Sequence, residues 1–164
     1  MGVEKIVSWE QWAEQPKSGV VELEFPDPKV PGGKRVRQIV LNGLTQEEID
    51  AVNQKWDEEK KKLKEPMIAV PVKGGERKWV PAKGTDEYKE YEEKVAAIER
   101  LRIADLTLAF LPPELRPPGE FEEQVASLKK VLLSGHWGQI VTAGMEISGF
   151  KFDQNEKVEE AKNS

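Results

Sequence analysis

The sequence predicts an α+β fold, mainly α: a helical core with an N-terminal β-hairpin, a second inserted β-hairpin and a disordered C-terminal tail. Three observations carry this. Residues 85–111 read as one long helix whose apolar character widens from a stripe to nearly the whole circumference. Two pairs of short strand-like runs each flank a glycine-bearing loop, the first of them stiffened by proline. From residue 151 the chain is Lys, Asp, Gln, Asn and Glu, with almost nothing to bury.

The long helix organises the rest. Thr85 can cap its start, and Asp86 and Glu87 sit at the positive end of its dipole. Tyr88, Tyr91, Val95 and Ile98 follow at helical spacing among charged residues, an amphipathic stripe. Leu101, Ile103, Ala104, Leu106, Leu108, Ala109, Phe110 and Leu111 then point in most directions. The first half therefore belongs to the surface and the second to the core. Pro112 and Pro113 stop the helix. Arg100, Arg102 and Asp105 lie inside the half expected to be buried, where a charge needs a partner. Arg102 and Asp105, three apart, can pair.

The other elements follow in chain order. Ser8 caps a short helix carrying Trp9 and Trp12 on one face, ended before Pro16. Runs 20–25 and 35–41 alternate and form an antiparallel hairpin around a proline-stiffened loop, with Glu22 and Glu24 placed to pair with Arg35 and Arg37. Thr45 and Glu48 make a capping box, with Leu44 and Ile49 as its staple. Ile49, Val52, Trp56 and Leu63 continue that helix's stripe until Pro66. Acids crowd its start and lysines its end, as the dipole favours, so the lysine run reads as a solvated helix end. Runs 67–72 and 77–81 form the inserted hairpin, and Pro71 and Pro81 confine it to an edge or an exposed arm. Residues 120–133 form a helix on Phe121, Val125, Leu128 and Leu132, closed by Ser134-Gly135. A last short apolar element holds Ile140, Val141, Ala143, Met145 and Ile147. One globular domain, 1–150, with 66–84 as its arm and 151–164 as a tail, fits 164 residues.

Composition narrows the function classes. The chain is 38% hydrophobic and 34% charged with net charge −5, which argues against general nucleic-acid or anionic-membrane binding. No apolar run reaches the ~18 residues of a spanning helix, and the N-terminus lacks a signal-peptide pattern, so a soluble cytoplasmic protein is expected. There is no cysteine and one histidine, His136. No disulfide frame, thiolate nucleophile or two-histidine metal site can be built. His136 has no Ser, Asp or Glu tied to it by spacing and reads as a packed or loop residue rather than a general base. The paired glutamates sit on polar helix faces. Gly74-Gly75 lacks the lysine and helix start of a phosphate loop. No catalytic, cofactor or metal residues are expected. The candidates for partner contact are Trp9, Trp12, Trp79, Arg100, Arg102 and Trp137, with the tyrosine pair beside them, because tryptophan and arginine concentrate at binding hot spots.

The order of features resembles the tail assembly chaperones of long-tailed bacteriophages. The residues that carry this are Val36-Arg37-Gln38-Ile39-Val40-Leu41-Asn42-Gly43-Leu44-Thr45-Gln46-Glu47-Glu48, a strand feeding a helix start, and the block 128–150 with Gly144-Met145-Glu146-Ile147-Ser148-Gly149. The resemblance implies a non-enzymatic, mostly helical cytoplasmic protein. Such a protein coats the tape-measure protein and recruits tail-tube subunits during assembly, often self-associates as a homo-oligomer, and is absent from the finished particle. The alternative from another class is a structural tail or head–tail connector subunit whose hairpins augment neighbouring sheets.

Overall fold

The computed structural model describes residues 3, 5–13 and 18–150. The expected disordered tail, 151–164, lies outside the described residues, as does Pro16. The described elements are α1 (Trp9–Trp12), β1 (Ser18–Pro26), β2 (Lys34–Asn42), α2 (Gln46–Lys61), β3 (Met67–Pro71), β4 (Arg77–Pro81), α3 (Asp86–Phe110), a 3₁₀ turn (Pro113–Leu115), α4 (Phe121–Val131) and α5 (Ser134–Ile147). The fold is α+β and mainly α, with both hairpins in place. The chain divides into two compact units, Met1–Gln46 with Thr107–Ser164, and Glu47–Leu106, so the division falls inside α3.

In the first unit, β1 and β2 form an antiparallel two-stranded sheet. Alternation puts Val21, Leu23 and Phe25 on one face with Ile39 and Leu41 across from it. Leu23 and Leu41 are fully buried, and α5 packs against both strands. Two glycines set how closely it packs. A Cβ at Gly19 would lie 2.6 Å from the Ile147 side chain, and a Cβ at Gly144 would lie 2.4 Å from the Phe110 ring. Phe110, Leu111, Val125, Leu128 and Ile140 complete this core. Ser148 ties the end of α5 to the chain after β2: its hydroxyl donates to the Gly144 carbonyl at 2.7 Å and accepts from the Leu44 N–H at 2.8 Å. Arg116 holds the proline-rich connector by donating from Nε to the Leu111 carbonyl at 2.8 Å, a C-terminal cap for α3.

Three expectations are corrected here. Glu22 and Glu24 do not meet Arg35 and Arg37. The register pairs Glu22 with Gln38 and Glu24 with Val36, and the arginines stand opposite Phe25 and Leu23 on the other face. Glu22 accepts instead from Gln38 at 3.1 Å, Glu24 pairs with Lys34 at 3.2 Å, and Arg37 lies over the Phe25 ring. Ser134-Gly135 opens α5 rather than closing α4, which ends at Val131. The last element is thus a full helix of 14 residues. α2 ends at Lys61, before Pro66, and Lys62 and Leu63 bond back three residues in a tightened last turn.

In the second unit, α2 and α3 are joined by side-chain ties. Trp56, buried, donates from its indole to Asp105 at 2.9 Å, and Lys55 reaches the same carboxylate at 3.4 Å. Arg102 donates to Glu99 at 3.0 and 3.2 Å and to Asn53 at 3.1 Å, and Lys60 pairs with Glu99. The expected Arg102–Asp105 pair is therefore replaced. Each charge finds its partner on α2 or one helical turn away on α3, because α2 presents Asn53, Lys55 and Lys60 to that face. At the start of α3, Thr85 caps as expected, its hydroxyl accepting from the Tyr88 N–H at 3.2 Å and donating to the Ala82 carbonyl at 2.7 Å. Tyr88 is buried and donates its hydroxyl to Glu65 at 2.9 Å.

Candidate partner-binding surfaces

The first unit carries two surfaces. Ser8 caps the single turn of α1, accepting from the Gln11 N–H at 3.3 Å, and Trp9 and Trp12 stand 73% and 67% exposed. They are surface residues. The second surface is an open depression of about 570 Å³ beside α5, lined by Val21, Glu22, Gly135, Gly138, Gln139 and Thr142. It is open over α5, where a Cβ added at Gly135 or Gly138 would meet nothing within 4 Å.

His136 adjoins this depression and is committed to the fold. Its Nδ1 accepts from the Leu133 N–H at 3.0 Å, satisfying a backbone donor at the start of α5. That acceptance leaves the proton on Nε2, which donates to the Glu24 carbonyl at 2.7 Å. The ring is buried against Phe25, with centroids 4.4 Å apart. The phase of the hairpin ladder is set by the bond from Asp27 N–H to the Gly33 carbonyl, which turns the Glu24 carbonyl to the free side of β1. His136 therefore occupies part of an open sheet edge. Its role is packing, as its sequence context implied. Trp137, beside it, is half-buried.

In the second unit, the inserted hairpin stands apart in character. β3 and β4 pair only with each other among the described residues. The loop closes with the Val72 N–H donating to the Glu76 carbonyl at 3.0 Å, and Gly74 and Gly75 take the left-handed conformation that the turn requires. At the base, the Ala82 N–H donates to the Pro66 carbonyl at 2.9 Å. These two bonds are in phase. They make Val70–Lys78 and Ile68–Val80 the inward-bonding pairs, and turn the backbone of Met67, Ala69, Arg77 and Trp79 to the free edges. Pro71 and Pro81 fall on the same outward positions, where a missing N–H costs the ladder nothing. Trp79 is 66% exposed, and Met67, Pro71, Arg77 and Pro81 on its face are exposed as well.

The remaining candidates separate. Arg100 is exposed on α3, whereas it was expected in the buried half. Arg102 is half-buried and spends its guanidinium on Glu99 and Asn53, so it is a tie between helices. Tyr88 is buried and leaves the partner list, and Tyr91 packs against it with ring centroids 5.5 Å apart. The Tyr88 hydroxyl is pushed above the ordinary tyrosine range by its hydrogen bond to Glu65, then by burial and by the charge of Glu65 itself. Lys62 is likewise raised by its bond to Glu59. No group of three or more metal-ligating side chains occurs among the described residues, and no described helix is long and apolar enough to cross a membrane. Sequence reasoning missed the outward backbone at Arg77 and Trp79. Its signal was present in the shared parity of Pro71, Arg77, Trp79 and Pro81. Compared with known protein families, curated proteins and solved structures, the chain matches none.

Proposed function

We propose that this protein is a non-enzymatic assembly chaperone of the phage-tail type, acting in the host cytoplasm. It binds the tape-measure protein or tail-tube subunits before they assemble. The observation that carries this reading is the exposure of Trp79, together with Trp9 and Trp12, on short elements that bury none of the three. Large indoles on a surface favour a protein partner, because each supplies a rigid apolar area at low cost in side-chain entropy. The resemblance of residues 36–48 and 128–150 to tail assembly chaperones supplies the identity of that partner.

The test is co-expression with the tape-measure protein of the same genome. This chain should raise the soluble yield of that protein, and Trp79→Ala should reduce the gain. Mass spectrometry of purified virions should find the chain absent. The open edges of the second hairpin favour the structural-subunit alternative, and stoichiometric recovery from virions would establish that reading in place of the chaperone.

A further inference from the structure

We propose that the partner of the second hairpin is an extended acidic polypeptide segment, which adds as a third strand along β4. This rests on the partner-binding reading of Trp79 and names the chemistry and geometry of what Trp79 meets. The outward backbone of Arg77 and Trp79 offers two N–H donors and their carbonyls on an edge that no described strand covers. A strand laid there gains main-chain hydrogen bonds irrespective of its sequence, and its side chains are selected by what stands beside it. Those neighbours are an exposed indole and a guanidinium two residues apart on one face. Residues 66–84 carry Lys73, Arg77, Lys78 and Lys83 against Glu76 alone, in a chain of net charge −5. The arm is thus a basic projection on an acidic protein, and its field favours acidic partners on approach.

Pro81 sets the limit of the added strand, since no donor follows Trp79 on that edge until the chain leaves the hairpin. The arrangement suits a peptide better than a nucleic acid. Arg77 and Lys78 point to opposite faces and Lys73 lies at the loop, so the cations form no continuous track for successive phosphates. It suits a foreign strand better than a second copy, because antiparallel pairing of β4 with itself, Arg77 across from Trp79, would set the two Lys78 side chains opposite one another.

The experiment titrates the isotope-labelled full chain with a short end-blocked peptide of alternating glutamate and valine. Controls are the same peptide with lysine for glutamate, and a single-stranded oligothymidylate. With the glutamate peptide, amide hydrogen exchange at Arg77 and Trp79 should slow, while Lys78 and Val80, already bonded to β3, should change little. Trp79→Ala and Arg77→Glu should each weaken binding by about tenfold or more. Both positions are exposed, so these variants fold, and the untouched exchange of Leu23 and Leu41 checks this. The proposal is overturned if Arg77 and Trp79 stay unprotected, if the lysine peptide or the oligothymidylate binds as well, or if the two amides are already protected in a concentration-dependent dimer. Its failure and that of the chaperone reading are distinguishable. If the chain still solubilises the tape-measure protein while the peptide leaves β4 unprotected, the strand-addition proposal alone falls.

Discussion

The two hairpins are built from similar parts and finished differently. Each pairs two strands antiparallel around a loop containing glycine at positive φ, and neither gains a third strand among the described residues. The first has one face covered: Leu23 and Leu41 lose all contact with solvent beneath α5, and His136 takes an outward carbonyl of β1. The second leaves Trp79 two-thirds exposed and both edges open. An isolated two-stranded hairpin is marginal in water and needs a packed face or a partner. The first hairpin has that packed face in its own chain. The second half-buries Val70 and Val80 on one face and leaves its largest side chain, Trp79, exposed on the other.

Substitutions can break this contrast, and the largest effect belongs to the covered hairpin. Leu23→Ala should lower stability by about 2–5 kcal/mol in denaturant titrations, the range for emptying a leucine site in a sealed core. An equal and smaller loss at Trp79 and Leu23 would abolish the distinction. Gly144→Ala should cost about 1–3 kcal/mol, because the added methyl meets the Phe110 ring and forces α5 off its seat. His136→Ala should cost about 1–3 kcal/mol by leaving the Leu133 donor and the Glu24 acceptor without their partner. Exchange at the amides of β1 and the first turn of α5 should quicken most. Trp79→Ala should change stability by less than about 0.5 kcal/mol, as exposed substitutions do, while weakening partner binding.

The smallest effect sharpens the base of the second hairpin. The Tyr88 hydroxyl donates a hydrogen bond to Glu65 in the folded state, so folding favours the neutral phenol. That contribution is complete below the unfolded tyrosine value of about 10 and is lost as pH rises through the higher folded value. In an ultraviolet titration, Glu65→Gln should move the Tyr88 midpoint downward. An unmoved midpoint would show that the bond does not hold the hydroxyl.

Periodicity and punctuation made most of the fold legible. Alternation located the first hairpin, short apolar runs around Gly74-Gly75 located the second, the widening apolar pattern located α3, and Thr85 marked its first turn. Three things escaped for physical reasons. Cross-strand partners depend on register, which the loop at residues 27–33 fixes, and a shift of one position sends Arg35 and Arg37 to the opposite face from Glu22 and Glu24. Gly135 after an apolar helical run reads as a stop, yet it is an ordinary helical residue of α5, because the break falls one step earlier at Leu132 and Leu133. The charges of α3 are satisfied mainly by α2, a long-range choice that spacing within one helix cannot show. Of the candidate site, exposed tryptophans were legible as residue types. The outward backbone beside Trp79 became visible only once the ladder had a phase.

Pro71 and Pro81 bear on a different matter, the fate of the chain at high concentration. Bare edges on neighbouring molecules can template one another into growing stacks, and such growth needs a donor at every second residue. Each edge here runs out of donors at its proline. One foreign strand can be seated beside β4, while copies of the arm cannot propagate a continuous ladder. Replacing Pro81 with valine would restore the missing donor, and light scattering should then report self-association at concentrations where the native chain stays dispersed.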